Sequence, residues 1–389
     1  MTFLPLTPPR KNRLNAMHLR QAAGLAALCT AIVGTGIHLD AQQAPAPPQA
    51  SASQQAPASP PTITVNAQLV NLPVIVRDKK GALVQNLTKE DFALSVDGHP
   101  QTIRYFDKDN DMPLTLGLLV DTSGSVRSEL DVERIASQAF LDQMVTAPAN
   151  RQPDQAFLIQ FAHEADLLQD LTPSRPKLRA ALNQVGTEDR DENDQDRNNG
   201  QSGGGYGHHR GGFHGGGTTL YDAIFLASDQ LMRKQHGRKA LVVLTDGEDR
   251  GSMETLQSAI ASAQRAETVV YAIYFKGEQH GYGGHGGGGR GGGFPGGGGG
   301  QRGGENHVDG KKVLEQITGE TGGRMFEVSG KQTFDAIYTQ IAEELRSQYR
   351  LGYTPDAATA AEGYHRVDLT LTKDKKLVVQ TRDGYYGGQ

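Results

Sequence analysis

The sequence has almost no cysteine: Cys29 is the only one among 389 residues. An internal disulfide is therefore excluded, and so is a zinc site built from thiolates. Strong charge of either sign is also missing. The formal net charge is -5 with 21% charged residues, which provides neither a basic field for phosphate backbones nor an acidic tail. Nucleic acid is not an expected partner. What remains is a chain long enough for one sizeable α/β domain and a smaller companion.

The first 41 residues follow the order of an export signal. Arg10, Lys11, Arg13 and Arg20 precede an uncharged stretch from Gln21 to Ile37 that includes Leu25, Leu28, Ile32 and Val33, and small residues follow toward Ala41. Basic, then apolar, then small is the pattern of a cleavable signal peptide. The apolar run also approaches the ~18 residues that a retained membrane anchor needs. Residues 1–41 are thus read as signal peptide or anchor, and an anchor is the only expected link to a membrane. Leu28, directly before Cys29, is too bulky for a lipidation site. Residues 42–62, nearly all Ala, Gln, Pro and Ser, cannot bury enough apolar surface to offset chain entropy and read as a tether. The expected location is periplasm, cell surface or secreted.

Between residues 63 and 110 the pattern becomes short alternating runs, Leu72, Val74, Val76 and then Phe92, Leu94, Val96. Asp78-Lys79-Lys80-Gly81 and Asp97-Gly98 punctuate them, so antiparallel strands are expected. Thr88 ahead of Lys89-Glu90-Asp91 predicts a capped helical turn. Over residues 111–347 the rhythm changes to strand, helix, strand, helix. Apolar runs occur at Leu114 to Val120, Ala156 to Phe161, Ala240 to Leu244, Val269 to Phe275 and Arg324 to Val328. Helical stripes fill gaps between them: Val132, Ile135, Ala136, Ala139, Phe140 and Met144, and then Leu220, Ile224, Ala227 and Leu231. Continuous apolar strands alternating with amphipathic helices predict an α/β fold, an open, mostly parallel sheet flanked by helices.

A last helix over about Gln332 to Arg346 leads into residues 348–389, which again read as strands. Strands on either side of the α/β unit are too few to be stable apart. Together they predict a smaller all-β region, a sandwich from which the α/β domain projects. Two glycine-rich insertions, residues 186–217 and 277–306, interrupt the α/β pattern. Their composition favours disorder. His208, His209, His214, His280, His285 and His307 in or beside them read as solvating residues, because a glycine chain offers no fixed ligand geometry.

The sharpest chemical signal ends the first α/β strand, where Leu118-Leu119-Val120 leads into Asp121-Thr122-Ser123-Gly124-Ser125. Asp121, Ser123 and Ser125 place carboxylate and hydroxyl oxygens at alternate positions of one loop, the donor type a hard cation needs. Gly124 is expected to permit a tight backbone. Two further segments accompany it: Gly217-Thr218-Thr219-Leu220-Tyr221-Asp222, which opens a helix, and Leu244-Thr245-Asp246-Gly247, which ends a buried strand. In an open α/β sheet, loops leaving the carboxyl ends of strands form the binding crevice. Both glycine-rich insertions should emerge near that face.

With all three segments in this order, the chain resembles the von Willebrand factor type A family over roughly Pro113 to Ser347. That resemblance implies that Ser123, Ser125 and Thr218 hold Mg²⁺ through hydroxyls, with Mn²⁺ or Ca²⁺ as alternates, while Asp121 and Asp246 stand behind them or act through water. It also implies that an Asp or Glu carboxylate of a protein partner completes the coordination. Tyr221 and Asp222 read as helix-start residues rather than ligands. Leu87 to Phe92, Asp97-Gly98, Ser347 to Tyr353 and Arg382 to Tyr386 are similar to the flanks of exported bacterial proteins of this kind, a group that implies no settled activity. The expected function is metal-dependent protein binding or adhesion, not enzymatic. The alternatives are a subunit of a cell-envelope assembly complex and a Mg²⁺-dependent hydrolase, which would need a nucleophilic carboxylate with an acid or base nearby.

Overall fold

The computed structural model describes residues 69–108, 112–186, 217–276, 309–356, 359–373 and 376–388. The expected export signal, the tether and nearly all of both glycine-rich insertions, with their histidines, lie outside them. No helix among the described residues is long and apolar enough to cross a membrane.

Four strands come first: β1 (Val70–Arg77), β2 (Phe92–Val96), β3 (His99–Gln101) and β4 (Ile103–Lys108). Leu72, Val74 and Val76 of β1 and Phe92, Leu94 and Val96 of β2 are buried, as period-two alternation demands. Asp97 and Gly98 both take positive φ, 50° and 79°, and form the two-residue turn between antiparallel β2 and β3. Thr88 caps the turn Lys89–Asp91, its amide and hydroxyl both donating to Asp91 Oδ2.

The α/β part follows as β5 (Leu114–Asp121), α1 (Leu130–Met144), β6 (Gln155–Phe161), β7 (Ala165–Thr172), α2 (Arg175–Leu182), α3 (Leu220–Leu226), β8 (Arg238–Thr245), α4 (Leu256–Arg265), β9 (Val269–Tyr274), α5 (Gly310–Thr321), β10 (Met325–Glu327) and α6 (Phe334–Arg346). Its six strands lie in the order β10-β9-β8-β5-β6-β7, parallel except for β6 with β7. Every residue of central β5 is buried. Leu116, Leu118 and Val120 enter one apolar core with α1, α2 and α6, and Leu119 enters a second with α3, α4 and α5. Helices on both faces explain why these strands carry continuous apolar runs.

Three details depart from the sequence expectations. Strand β7 was not anticipated, because this half-buried edge strand has neither strict alternation nor a continuous apolar run. The expected stripe of α1 is rotated: Val132 is 58% and Ile135 73% exposed, while Glu133 and Ser137 turn inward with Ala136, Phe140 and Met144. Ser137 Oγ lies 2.6 Å from both Glu133 Oε1 and Tyr338 OH of α6, so a polar contact sets the helix face. The stripe from Leu220 to Leu231 is not one regular helix, since α3 passes into a π turn at Ala227–Leu231.

The chain closes with β11 (Tyr349–Tyr353), β12 (Gly363–Leu371), β13 (Val378–Gln380) and β14 (Gly384–Gly387). Two antiparallel sheets, ordered β13-β1-β11-β4 and β14-β12-β2-β3, share a core that includes Leu72, Val74, Leu94, Tyr349, Leu351 and Val367. Strands from before and after the α/β part therefore interleave: β1 pairs with β11 and β13, and β2 with β12. At the junction, Arg77 of β1 and Arg324 both reach Glu344 of α6, at 2.6 and 2.8 Å.

Candidate functional site

The carboxyl ends of β5 and β8, neighbours in the middle of the sheet, carry the loops that matter. Asp121 is the last residue of β5 and is fully buried. Its Oδ1 accepts the Ser123 amide at 2.9 Å and its Oδ2 the Thr245 hydroxyl at 2.6 Å. The Thr245 hydroxyl in turn accepts the Gly247 amide at 3.0 Å. Asp246 follows on, its Oδ2 accepting the Ser125 hydroxyl at 2.6 Å and its Oδ1 the Glu248 amide at 3.0 Å. Ser123 Oγ and Ser125 Oγ lie 3.3 Å apart. Four of the five expected site residues are thus joined by hydrogen bonds across a sequence separation of more than 120 residues.

Thr218 reaches the same end of the sheet by backbone contacts. The next residue, Thr219, donates its amide to the carbonyl of Ala162 at 2.9 Å, and Phe161, one residue earlier, accepts the Thr122 amide at 2.9 Å. The Thr218 carbonyl accepts the amides of Arg250 and Gly251 at 3.0 and 3.3 Å. Its hydroxyl makes no hydrogen bond among the described residues. Thr218 therefore joins the group by position and not by a direct bond to it. Asp222 stands aside: its carboxylate accepts the amides of Glu254 and Met253 at 2.8 and 3.0 Å and so holds the loop after β8 against the start of α3.

Glycine is needed in one loop and not in the other. Gly247 has φ +77°, and a Cβ there would run into the carbonyl of Gly310, while a Cβ on Gly310 would strike the carbonyl of Asp246. The loop bearing Asp246 is thus wedged against the start of α5. Gly124 lies outside the left-handed region, and a Cβ would meet nothing within 4 Å. The backbone does turn tightly at Gly124, where the Val126 amide donates to the Ser123 carbonyl at 3.2 Å, but the turn does not require glycine. The residues flanking both glycine-rich insertions lie at this same end: Gly186 beside Leu130 and Thr122, Gly217 beside Gly251, and Gly310 against Gly247.

Burial pushes the Asp121 carboxyl up to about 7. Hydrogen bonds from Ser123 and Thr245 oppose the rise, and the neighbouring Asp246 carboxylate adds to it. No basic side chain offsets these charges in that balance. A hard cation suits such a place on two counts. The donors are all oxygens, and the spacing of 3.3 Å between the serine hydroxyls is close to the edge of an oxygen octahedron, roughly 3 Å for ligands at about 2.1 Å. The described residues contain no cluster of three or more His, Cys, Asp or Glu able to hold an ion, so hydroxyls would have to supply the direct ligands. Thr245 carries no expected role, yet it orients Asp121. Its position between the buried strand and Asp246 was the only available sign.

Comparison with family profiles gives the same frame. Two profiles described as von Willebrand factor type A domain match residues 116–248 and 210–340. Among solved structures, an aerotolerance-related membrane protein from Bacteroides fragilis is similar at 16% identity and TM-score 0.38, covering 60% of this chain and 98% of that one. A von Willebrand factor type A protein from Catenulispora acidiphila is similar at 10% identity and TM-score 0.38, covering 84% and 75%. Proximal thread matrix protein 1 from the mussel byssus, with a zinc-occupied MIDAS motif, is similar at 15% identity and TM-score 0.38, covering 64% and 49%. A search of curated proteins finds no match. With the α/β sheet in place and the two profiles together spanning residues 116–340, the chain belongs to the von Willebrand factor type A domain family.

Proposed function

We propose that this protein is an exported, Mg²⁺-dependent protein-binding module, with Ser123, Ser125 and Thr218 as direct ligands and Asp121 and Asp246 behind them. Domains of this family commonly bind a divalent metal and mediate protein–protein interaction. The reading rests on the Ser123–Ser125–Asp246 geometry: two hydroxyl oxygens 3.3 Å apart, one of them donating to a carboxylate at 2.6 Å. A serine whose proton is held by Asp246 has its lone pairs free for a cation. Mg²⁺, or Mn²⁺ or Ca²⁺ in its place, supplies an electrophilic position when bound. Because the direct ligands are neutral, a carboxylate from a partner's Asp or Glu is the natural completion.

The same geometry favours binding over phosphoryl or acyl chemistry. Asp121 is buried with both oxygens engaged, so it is unavailable as a nucleophile. Export rests on the basic, apolar and small segments of residues 1–41.

The test is calorimetric titration of Mg²⁺ and Mn²⁺ into the full-length chain and its Ser123→Ala variant, with and without a short Asp-containing peptide. Saturable binding that is lost in the variant, together with peptide binding only when metal is present, is the expected result. Absence of metal binding by a folded wild-type chain would overturn the proposal.

A further inference from the structure

At the opposite end of the parallel sheet, a cleft of ≈ 570 Å³ opens between the β-sandwich and the α/β part. Its charged lining consists of Arg233, His236, Lys239, Arg265 and Arg382 with a single acid, Glu267. That excess of cations stands out in a chain of net charge -5. Lys239 is the second residue of β8, six residues before Thr245, so the cleft lies roughly 20 Å from the Asp121 cluster at the rise of a strand. A second cleft of ≈ 250 Å³ shares Asn71, Gln235, His236, Lys239 and Glu267 with the first. Lys239 therefore sits where the two meet.

Not all of these cations are free to bind. Arg382 is buried and donates to the carbonyls of Gln264 and Asn71 at 3.2 and 2.7 Å. It approaches Glu267 only to 3.8 Å, and its Nε is buried without a partner. Arg233 pairs with Asp229 at 3.2 Å. Beside His236, that leaves Arg265 and Lys239. Arg265 lies over the Tyr386 ring at 4.1 Å, with no carboxylate partner among the described residues. Lys239 is half-buried and has neither a hydrogen bond nor an ion pair among the described residues. Burial lowers its pKa, Glu267 opposes this and Arg382 adds to the lowering. Gly237, at φ +93° and pressed against the Pro113 carbonyl, fixes the turn that bears His236.

A half-buried lysine in the field of the Arg382 guanidinium faces a cleft in the size range of small-molecule sites, with Glu267 as the single acid of the lining and no ion pair formed to it. We propose that this cleft is a second binding site, taking a small ligand whose phosphate or carboxylate groups meet Lys239 and Arg265, independently of the metal cluster. Arg382 positions the cleft walls by joining the end of α4 to β1 and adds to the field.

The test is isothermal titration of sodium pyrophosphate and of citrate into the metal-free full-length chain and into its Lys239→Gln, Arg265→Gln and Ser123→Ala variants, with folding checked by circular dichroism. Saturable one-to-one binding is expected, weakened about tenfold by each charge removal and unchanged by Ser123→Ala. Preference for pyrophosphate identifies a phosphate ligand, and preference for citrate a carboxylate one. Binding should also take up a proton at alkaline pH, seen as a heat that depends on the buffer, and Lys239→Gln should abolish that uptake. Arg265 is exposed, so its variant keeps the test decisive if Lys239→Gln fails to fold. No saturable binding of either anion, or binding unaffected by both charge removals, overturns the proposal.

Discussion

Glu344 and Asp121 are both buried carboxylates, and their surroundings are opposite. Glu344 is held between two guanidiniums, Arg77 at 2.6 Å and Arg324 at 2.8 Å, and joins helix α6 to the sandwich strand β1. Asp121 receives only an amide and a hydroxyl. Burial raises the pKa of both, with arginines opposing the rise at Glu344 and only hydrogen bonds, against a further carboxylate, at Asp121. The first arrangement is internally neutralised and holds two parts of the fold together. The second is short of positive charge, which is what the proposed metal site requires. Burial of an acid alone does not distinguish the two arrangements, whereas the charge of its partners does.

The largest expected effect comes from removing the paired acid. Glu344→Gln leaves buried Arg77 and half-buried Arg324 without their anion, and it should cost about 3–5 kcal/mol of stability by urea denaturation. Asp121→Asn in metal-free protein should cost clearly less, about 1–2 kcal/mol, while abolishing metal binding. Equal losses for the two would break the comparison.

Acidity sharpens it further. Glu133 is a third buried carboxylate, pushed up to about 7 by burial, with Ser137 and Arg134 opposing. Like Asp121, it holds its proton more tightly in the folded chain than in the unfolded one. The stability it contributes is full below the unfolded pKa, 4.5 for glutamate, and is lost as pH rises through about 7. Metal-free protein should therefore show a urea midpoint that falls between pH 4.5 and 7.5. Glu133→Gln should flatten that fall by at most roughly 3 kcal/mol. Mg²⁺ should stabilise more at pH 7.5 than at pH 5, because it favours ionised Asp121. A midpoint that rises with pH in the metal-free variant series would contradict the assignment of unpaired buried acids.

A smaller contrast separates the two loops of the site. Gly247→Ala, at φ +77° and against Gly310, should cost about 1–3 kcal/mol in thermal unfolding. Gly124→Ala, with open space around it, should stay within about 0.5 kcal/mol. Comparable costs would mean that the loop after β5 is as tightly wedged as the loop after β8.

Much of this was legible from residue order. Alternation in Leu72, Val74, Val76 and Phe92, Leu94, Val96, the apolar runs of β5, β6, β8 and β9, and the Asp121, Thr218 and Asp246 segments each report local periodicity or local chemistry, which a linear string preserves. The features that escaped are set by neighbours far along the chain. Strand β7 exists because β6 offers it an edge, and α1 turns Glu133 inward because Tyr338 meets Ser137, 201 residues away. Thr245 acquires its role only when β8 is laid beside β5, which brings its hydroxyl to Asp121. The sequence by itself determined the fold class, the alternation of its layers and the residues able to offer oxygen to a cation. The tertiary structure alone decided which buried acids receive arginines and which do not, because that balance depends on which side chains folding brings within a few ångströms of each other.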